Sequence, residues 1–154
     1  LNFVIGRTAA AIAYNTTSHE VLLVEQFRLP TYGPGDGWLT EIVAGLCDHG
    51  ESPEETIKRE LMEEIGYRAD KLDRICAVHL APGSVTEIIT IFYAEVSEQG
   101  KVSEGGGVDY DEDIRVVRIR PDALWRAIEG GEIADAKTMI AAQWLRRKFN
   151  LRDA

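Results

Sequence analysis

The sequence predicts an α/β fold, a mixed β-sheet sandwiched between α-helices, on three observations. Short runs rich in Ala, Val, Ile, Phe and Tyr recur along the chain as strands. Amphipathic segments with clear start signals interleave with them as helices, and Gly-, Pro- and Asn-rich breaks separate the two kinds. With 154 residues and 45% hydrophobic content, one domain over residues 1–154 is expected, large enough to bury a continuous core. The chain opens on Leu1 rather than Met, which leaves a further N-terminal element open.

Residues 7–14 and 20–27 are apolar-rich and flank Asn15-Thr16-Thr17-Ser18, so they read as two strands joined by a turn. Residues 31–37, with three glycines and a proline, break all periodicity and form a loop. Strands are expected at 38–43 and 72–80, and a longer one, rich in Ile, Thr, Phe and Tyr, at 86–96. After an acidic, glycine-rich loop over 100–113, residues 114–119 alternate enough for a further strand. Pro121 opens a helix with Leu124, Trp125 and Ile128 on one side. A last helix over 135–149 carries apolar Met139, Ile140, Ala142 or Gln143, Trp144 and Leu145 and leaves Arg146, Arg147 and Lys148 in its final turns, where cations suit the macrodipole.

The net charge of −9, from 26 acidic against 17 basic residues, opposes the counterion release that drives binding to nucleic acid, so no nucleic-acid partner is expected. A small phosphorylated ligand fits only where local cations, such as a divalent metal, offset the acids. Cys47 and Cys76 lack CxxC spacing, and His19, His49 and His79 form no zinc pattern. Reduced thiols and a cytoplasmic location are therefore expected. No apolar run approaches the roughly 20 residues that span a bilayer, and no membrane association is expected.

Ser52-Pro53-Glu54-Glu55 is a clear helix start, with Ser52 as N-cap, Pro53 at the first position and Glu55 closing a capping box; Gly66 ends the helix. Ile57, Leu61 and Ile65 make its core face, and Glu60, Glu63 and Glu64 share the adjoining exposed face. Like charges at this spacing cost an isolated helix roughly 0.2–0.5 kcal/mol per pair, whereas carboxylate oxygens are preferred ligands of magnesium. A solvated acidic face would account for three glutamates alone. It does not account for the wider spacing of Gly45, Glu51, Arg59, Glu60, Leu61, Glu63, Glu64, Gly66 and Tyr67, a coincidence on the order of one in a million for independent residues.

That spacing matches the box GX5EX7REUXEEXGU, and the chain resembles the Nudix hydrolases, with Tyr67 a slightly atypical last apolar position. The resemblance runs from about Arg7 to Leu145 and points to the ADP-ribose pyrophosphatase and GDP-mannose hydrolase branch. It is carried by Glu25-Gln26-Phe27-Arg28, by Ala81-Pro82-Gly83-Ser84-Val85-Thr86-Glu87, and by Gly105-Gly106-Gly107-Val108 with Asp111-Glu112-Asp113-Ile114. The glycine run and Ser84-Val85-Thr86-Glu87 look more like GDP-mannose hydrolases, while Asp135-Ala136-Lys137-Thr138 and Gln143-Trp144-Leu145 look more like ADP-ribose hydrolases.

The resemblance implies a magnesium-dependent hydrolase, with manganese a possible substitute, that cuts a nucleotide sugar such as GDP-mannose or ADP-ribose into a nucleoside monophosphate and a sugar phosphate. It implies Glu60, Glu63, Glu64 and the carbonyl of Ala44 as metal ligands, with Glu112 as a further one. Gly45, Glu51, Arg59 and Gly66 would be structural, Glu51 and Arg59 pairing to hold the loop against the helix. Arg28, Ser84, Thr86 and Glu87 would bind substrate, and the base would come from Asp109, Asp111 or Glu112. The aspartates of residues 109–113 do not make a calcium loop, because the sixth position would be Ile114 and the twelfth Arg120.

The loop over 100–113 is expected to be mobile until substrate arrives and then to close as a lid. The resemblance also implies a homodimer, with residues 1–7 as the end of an exchanged strand and Arg7 reaching across subunits. The alternatives are a hydrolase of oxidised nucleoside triphosphates and a catalytically silent nucleotide-binding regulator.

Overall fold

The computed structural model describes residues 6–33, 35–107 and 113–150. Its strands are β1 (Arg7–Asn15), β2 (Glu20–Tyr32), β3 (Asp36–Glu41), β4 (Val43–Leu46), β5 (Lys71–Val78), β6 (Ile88–Val96) and β7 (Arg115–Ile119). Its helices are α1 (Pro53–Glu64), α2 (Pro121–Glu129) and α3 (Ala136–Lys148). All these strands join one mixed sheet: β1 runs parallel to β6 and antiparallel to β2 and β4, while β3 and β7 pair with β2 and β5 with β6.

β1 explains the layering. Ala9, Ala10, Ala11, Ile12 and Ala13 are all fully buried, and alternate residues face opposite sides of the sheet. Ala9, Ala11 and Ala13 pack with Leu22, Val24, Val43 and the α1 residues Ile57 and Leu61. Ala10 and Ile12 pack with Val21, Leu23, Ile42, Leu124 of α2, and Ala141, Ala142 and Leu145 of α3. A strand covered on both faces must be apolar throughout, and methyl side chains let the helices approach closely.

α1 forms as its sequence dictates. Ser52 accepts from the Glu55 N–H at 3.3 Å, and the Glu55 carboxylate accepts from the Ser52 N–H at 2.8 Å. Ile57, Leu61 and Ile65 are buried, and Gly66 ends the helix at φ +79°.

Other boundaries differ from expectation. β2 continues to Tyr32 instead of giving way to a loop at 31, because its outer half pairs with β3 through an irregular register between Phe27 and Tyr32. The single strand expected at 38–43 is two strands that change partner at Ile42, β3 pairing with β2 and β4 with β1. The Ile42 N–H at this handover donates to Thr138 Oγ1 of α3 at 2.9 Å. In α3, Lys137, Thr138, Ala141, Ala142 and Leu145 are buried, while Met139, Ile140 and Trp144 are partly covered and Gln143 is exposed.

The exchanged strand expected at 1–7 enters the described residues only at Gly6 and Arg7, and Asp109, Asp111 and Glu112 also lie outside them. Among the described residues no helix is long and apolar enough to cross a membrane.

The close approach at β1 is testable. Ala11→Leu forces three extra carbons into a site packed on one side by α1, and should destabilise the fold by about 1–3 kcal/mol. A lowered urea midpoint with an unchanged m-value is the expected result. An unchanged midpoint would mean that α1 does not press on β1.

Candidate metal centre and active-site cleft

An open cleft of about 740 Å³ collects side chains from most of the sheet and from α1 and α3. Glu60, Glu63 and Glu64 of α1 line it together with Ala44, Gly45 and Leu46 of β4. Gln26 and Arg28 of β2, Lys137 of α3, Thr8 and Glu87 line it as well.

The carboxylates are held in three different ways. Glu64 is only 6% exposed, which corrects the expectation of an exposed face, because the last turn of α1 lies against β4 and its Oε2 accepts from the Ala44 N–H at 3.3 Å. Glu60 lies on the backbone of Gly45, where a Cβ would stand 1.9 Å from Glu60 Oε1, so a side chain at this box position would push the Glu60 carboxylate aside. Glu60 and Glu63 both reach Arg59 Nη1, at 2.7 and 3.0 Å.

Arg59 is fixed from its other side by Glu51, at 3.3 Å from Nε and 3.2 Å from Nη2, and donates to the Leu46 carbonyl at 3.3 Å. Glu51 also accepts from Thr56 Oγ1 at 2.8 Å and from the Asp48 N–H at 3.1 Å. The expected Glu51–Arg59 brace between loop and helix is therefore present. Hydrogen bonds from Arg59, Thr56 and the Asp48 backbone hold the Glu51 carboxyl down to about 2. Arg59 is held above its ordinary value, by Glu51 first and by Glu60 and Glu63 against the opposing effect of desolvation.

Carboxylate oxygens and a carbonyl are hard ligands, and the donor set of Glu60, Glu63, Glu64 and the Ala44 carbonyl fits a hard divalent cation. Among the described residues no three such side chains are already gathered about one point, since Arg59 draws Glu60 and Glu63 to itself. A cation there would share those two carboxylates with the guanidinium.

A second charged group borders the cleft. Glu41, with its side chain 4% exposed, accepts from Arg28 Nε at 2.8 Å and Nη2 at 3.3 Å and from Lys137 Nζ. Lys137 also donates to Asp135 at 3.0 Å, and Asp135 caps α3 through the Thr138 N–H at 3.0 Å. Burial pushes the Glu41 carboxyl up, but Arg28 and Lys137 outweigh it and leave the group below its ordinary range. Sequence reasoning missed Glu41. The available signal was an acid placed directly before Ile42 and Val43 in a mostly apolar stretch, 38–43.

Of the expected substrate residues, Arg28 and Glu87 line the cleft and Ser84 and Thr86 do not. Glu87 accepts from Thr8 Oγ1 at 2.9 Å. The described end of the glycine-rich loop is not free, as expected of a lid, but tied to α1: the Gly106 and Gly107 N–H groups donate to the Glu64 and Glu63 carbonyls.

The NUDIX domain family matches residues 4–142 of this chain. The chain is 43% identical over 141 residues to a GDP-mannose pyrophosphatase of Yersinia enterocolitica, covering 90% of this chain and 73% of that protein. It is 39% identical over 142 residues to one of Cronobacter sakazakii, covering 91% and 73%. Among solved structures, the crystal structure of an ADP compounds hydrolase superposes with a TM-score of 0.77 at 21% identity, over 94% of this chain and 72% of that one, which shows a shared fold.

The lowered Glu51 carboxyl gives a pH signature. Below its ordinary value of 4.5 the unfolded chain takes up a proton that the folded protein refuses until about 2, so stability from Glu51 is present above 4.5 and lost as pH falls toward 2. Glu51→Gln should therefore be less stable than the wild type at neutral pH, with the gap closing across that interval. A gap independent of pH, measured by denaturant unfolding, would remove Glu51 as an ionised brace.

Proposed function

This chain belongs to the Nudix domain family, and from that membership we propose that it is a divalent-cation-dependent hydrolase of a nucleoside-diphosphate sugar, with GDP-mannose the first candidate. One observation carries the reading: the α1 carboxylates and the cations Arg28 and Lys137 line the same cleft. A metal-bridged diphosphate needs both, acids to hold the metal and bases to meet the remaining phosphate charge. The names of the relatives at 39–43% identity support GDP-mannose over ADP-ribose.

Glu60, Glu63, Glu64 and the Ala44 carbonyl would hold magnesium, or manganese in its place. When bound, such an ion neutralises diphosphate charge and lowers the pKa of water. Arg28 keeps guanidinium donors beyond the two spent on Glu41, enough to meet a phosphate oxygen, and the buried Glu41 fixes its orientation. Lys137, tethered by Glu41 and Asp135, presents a second cation with little freedom to lose. Glu87, set by Thr8, would accept from a sugar or ribose hydroxyl, with Ser84 and Thr86 contributing from beyond the cleft. Water attacks one phosphorus, the bridging P–O bond breaks, and the attacking water's proton passes to an acid proposed among Asp109, Asp111 and Glu112, the last also a further metal ligand.

A homodimer belongs to the same proposal. Phe27, Leu29 and Tyr32, exposed along the outer half of β2, give it apolar surface to bury, and sedimentation at micromolar concentration tests it. The cytoplasmic setting is proposed as well, in keeping with the free thiols of Cys47 and Cys76.

A panel of nucleotide sugars, dinucleotides and oxidised nucleoside triphosphates with magnesium tests the substrate class; turnover of the triphosphates alone would overturn it. Glu64→Gln should lower turnover by about two orders of magnitude or more with the fold intact. Glu54→Gln, exposed in the first turn of the same helix, should be mild. Unchanged turnover in Glu64→Gln would remove the metal assignment.

A further inference from the structure

The end of α1 poses an electrostatic difficulty that is solved outside the Nudix box. Its last turn carries Glu63 and Glu64 and no basic residue, so two carboxylates stand at the negative end of the helix dipole. The last carbonyls also lack partners within the helix. They find them in a segment 40 residues on. The Gly106 N–H donates to the Glu64 carbonyl at 2.9 Å and the Gly107 N–H to the Glu63 carbonyl at 3.0 Å. The Gly66 carbonyl, just past the helix, accepts from Val102 at 2.7 Å and Ser103 at 3.3 Å.

At Gly105 the approach leaves no space for a side chain. A Cβ on Gly105 would stand 2.4 Å from the Glu64 carbonyl oxygen and 2.7 Å from Ile65 Cα, both backbone atoms that cannot swing aside. Gly105, Gly106 and Gly107 have φ of +74°, +106° and +84°, a conformation that costs other residues of the order of 1–3 kcal/mol each. All three glycines answer the demand for a left-handed backbone, and Gly105 also that for close contact with the helix end.

We propose that Gly105, Gly106 and Gly107 form a positioning element for the metal-binding carboxylates, clamping the backbone of Glu63 and Glu64 so that the loop, and not the helix alone, sets where those side chains stand. The proposal rests on the metal-site reading above. A carboxylate carried on an uncapped, fraying turn would sample many positions, whereas catalysis through positioned charge is lost with displacements of about 1 Å.

Two measurements test the clamp. In the metal-free wild type, the amide protons of Gly106 and Gly107 should exchange as slowly as those of the last turn of α1. Exchange at the rate of an open loop overturns the clamp, whether or not the protein hydrolyses anything. In the second, Gly105→Ala is compared with Gly131→Ala, which has a similar φ of +80° but nothing within 4 Å of the added carbon.

Gly105→Ala should weaken Mn2+ binding, read by calorimetry without substrate, by about tenfold or more. Its kcat should fall by about a hundredfold with KM little changed. Gly131→Ala should alter neither. Should Gly105→Ala fail to fold, Gly106→Ala, whose added carbon meets only the Ile114 carbonyl at 3.7 Å, serves in the same comparison. Equal Mn2+ affinity and kcat in the loop variant and Gly131→Ala overturn the positioning role. Absence of Mn2+ binding by the wild type overturns the metal-site reading and, with it, the purpose assigned to the clamp.

Discussion

The guanidinium of Arg59 lies among Glu51, Glu60 and Glu63, and the rest of the site depends on how that one cation is shared. Glu51 holds it in place from the loop, with the help of Thr56 and the Asp48 backbone, so the guanidinium is a fixed charge and not a mobile surface one. Around a fixed charge, Glu60 and Glu63 can stand close together without a metal. A divalent cation bound there would require the same carboxylates only to redistribute between two positive centres. Glu64 stands apart, buried and hydrogen-bonded to β4, and anchors the set to the sheet.

The sheet supplies the complementary half. Because β1 is buried on both faces, α1 and α3 lie on opposite sides of it, yet both reach the cleft, α1 through its glutamates and α3 through Lys137. The Glu41 carboxylate joins β3 to α3 and to Arg28 in a nearly dry environment. With two cations on one buried carboxylate, losing either still leaves Glu41 a partner, whereas losing both would strand a buried charge. Rigidity of the cationic side of the cleft is what that arrangement gives in return.

What the chain discloses before folding is what is encoded locally. α1 was legible to the residue at its start, since a capping box, a first-position proline and an apolar period of four lie within one segment. The Glu51–Arg59 brace, eight residues apart, was legible through the resemblance to the Nudix box and not from its local spacing. The handover at Ile42 was not, because its hydrogen bond goes to Thr138, 96 residues away, and the strand pattern at 38–43 runs through it unbroken. Glu41 and Lys137 were hidden by the same distance. The glycine run cannot bury apolar surface, yet it is not loose on that account, because backbone N–H groups can be committed where no side chain is.

The position of the broken bond tests the central claim most directly. Phosphorus NMR of GDP-mannose incubated with the protein and magnesium should show GMP and mannose 1-phosphate rising together in equal amounts. GDP with free mannose would mean cleavage at the sugar carbon instead of at phosphorus, and would contradict a cleft built to neutralise a diphosphate under attack.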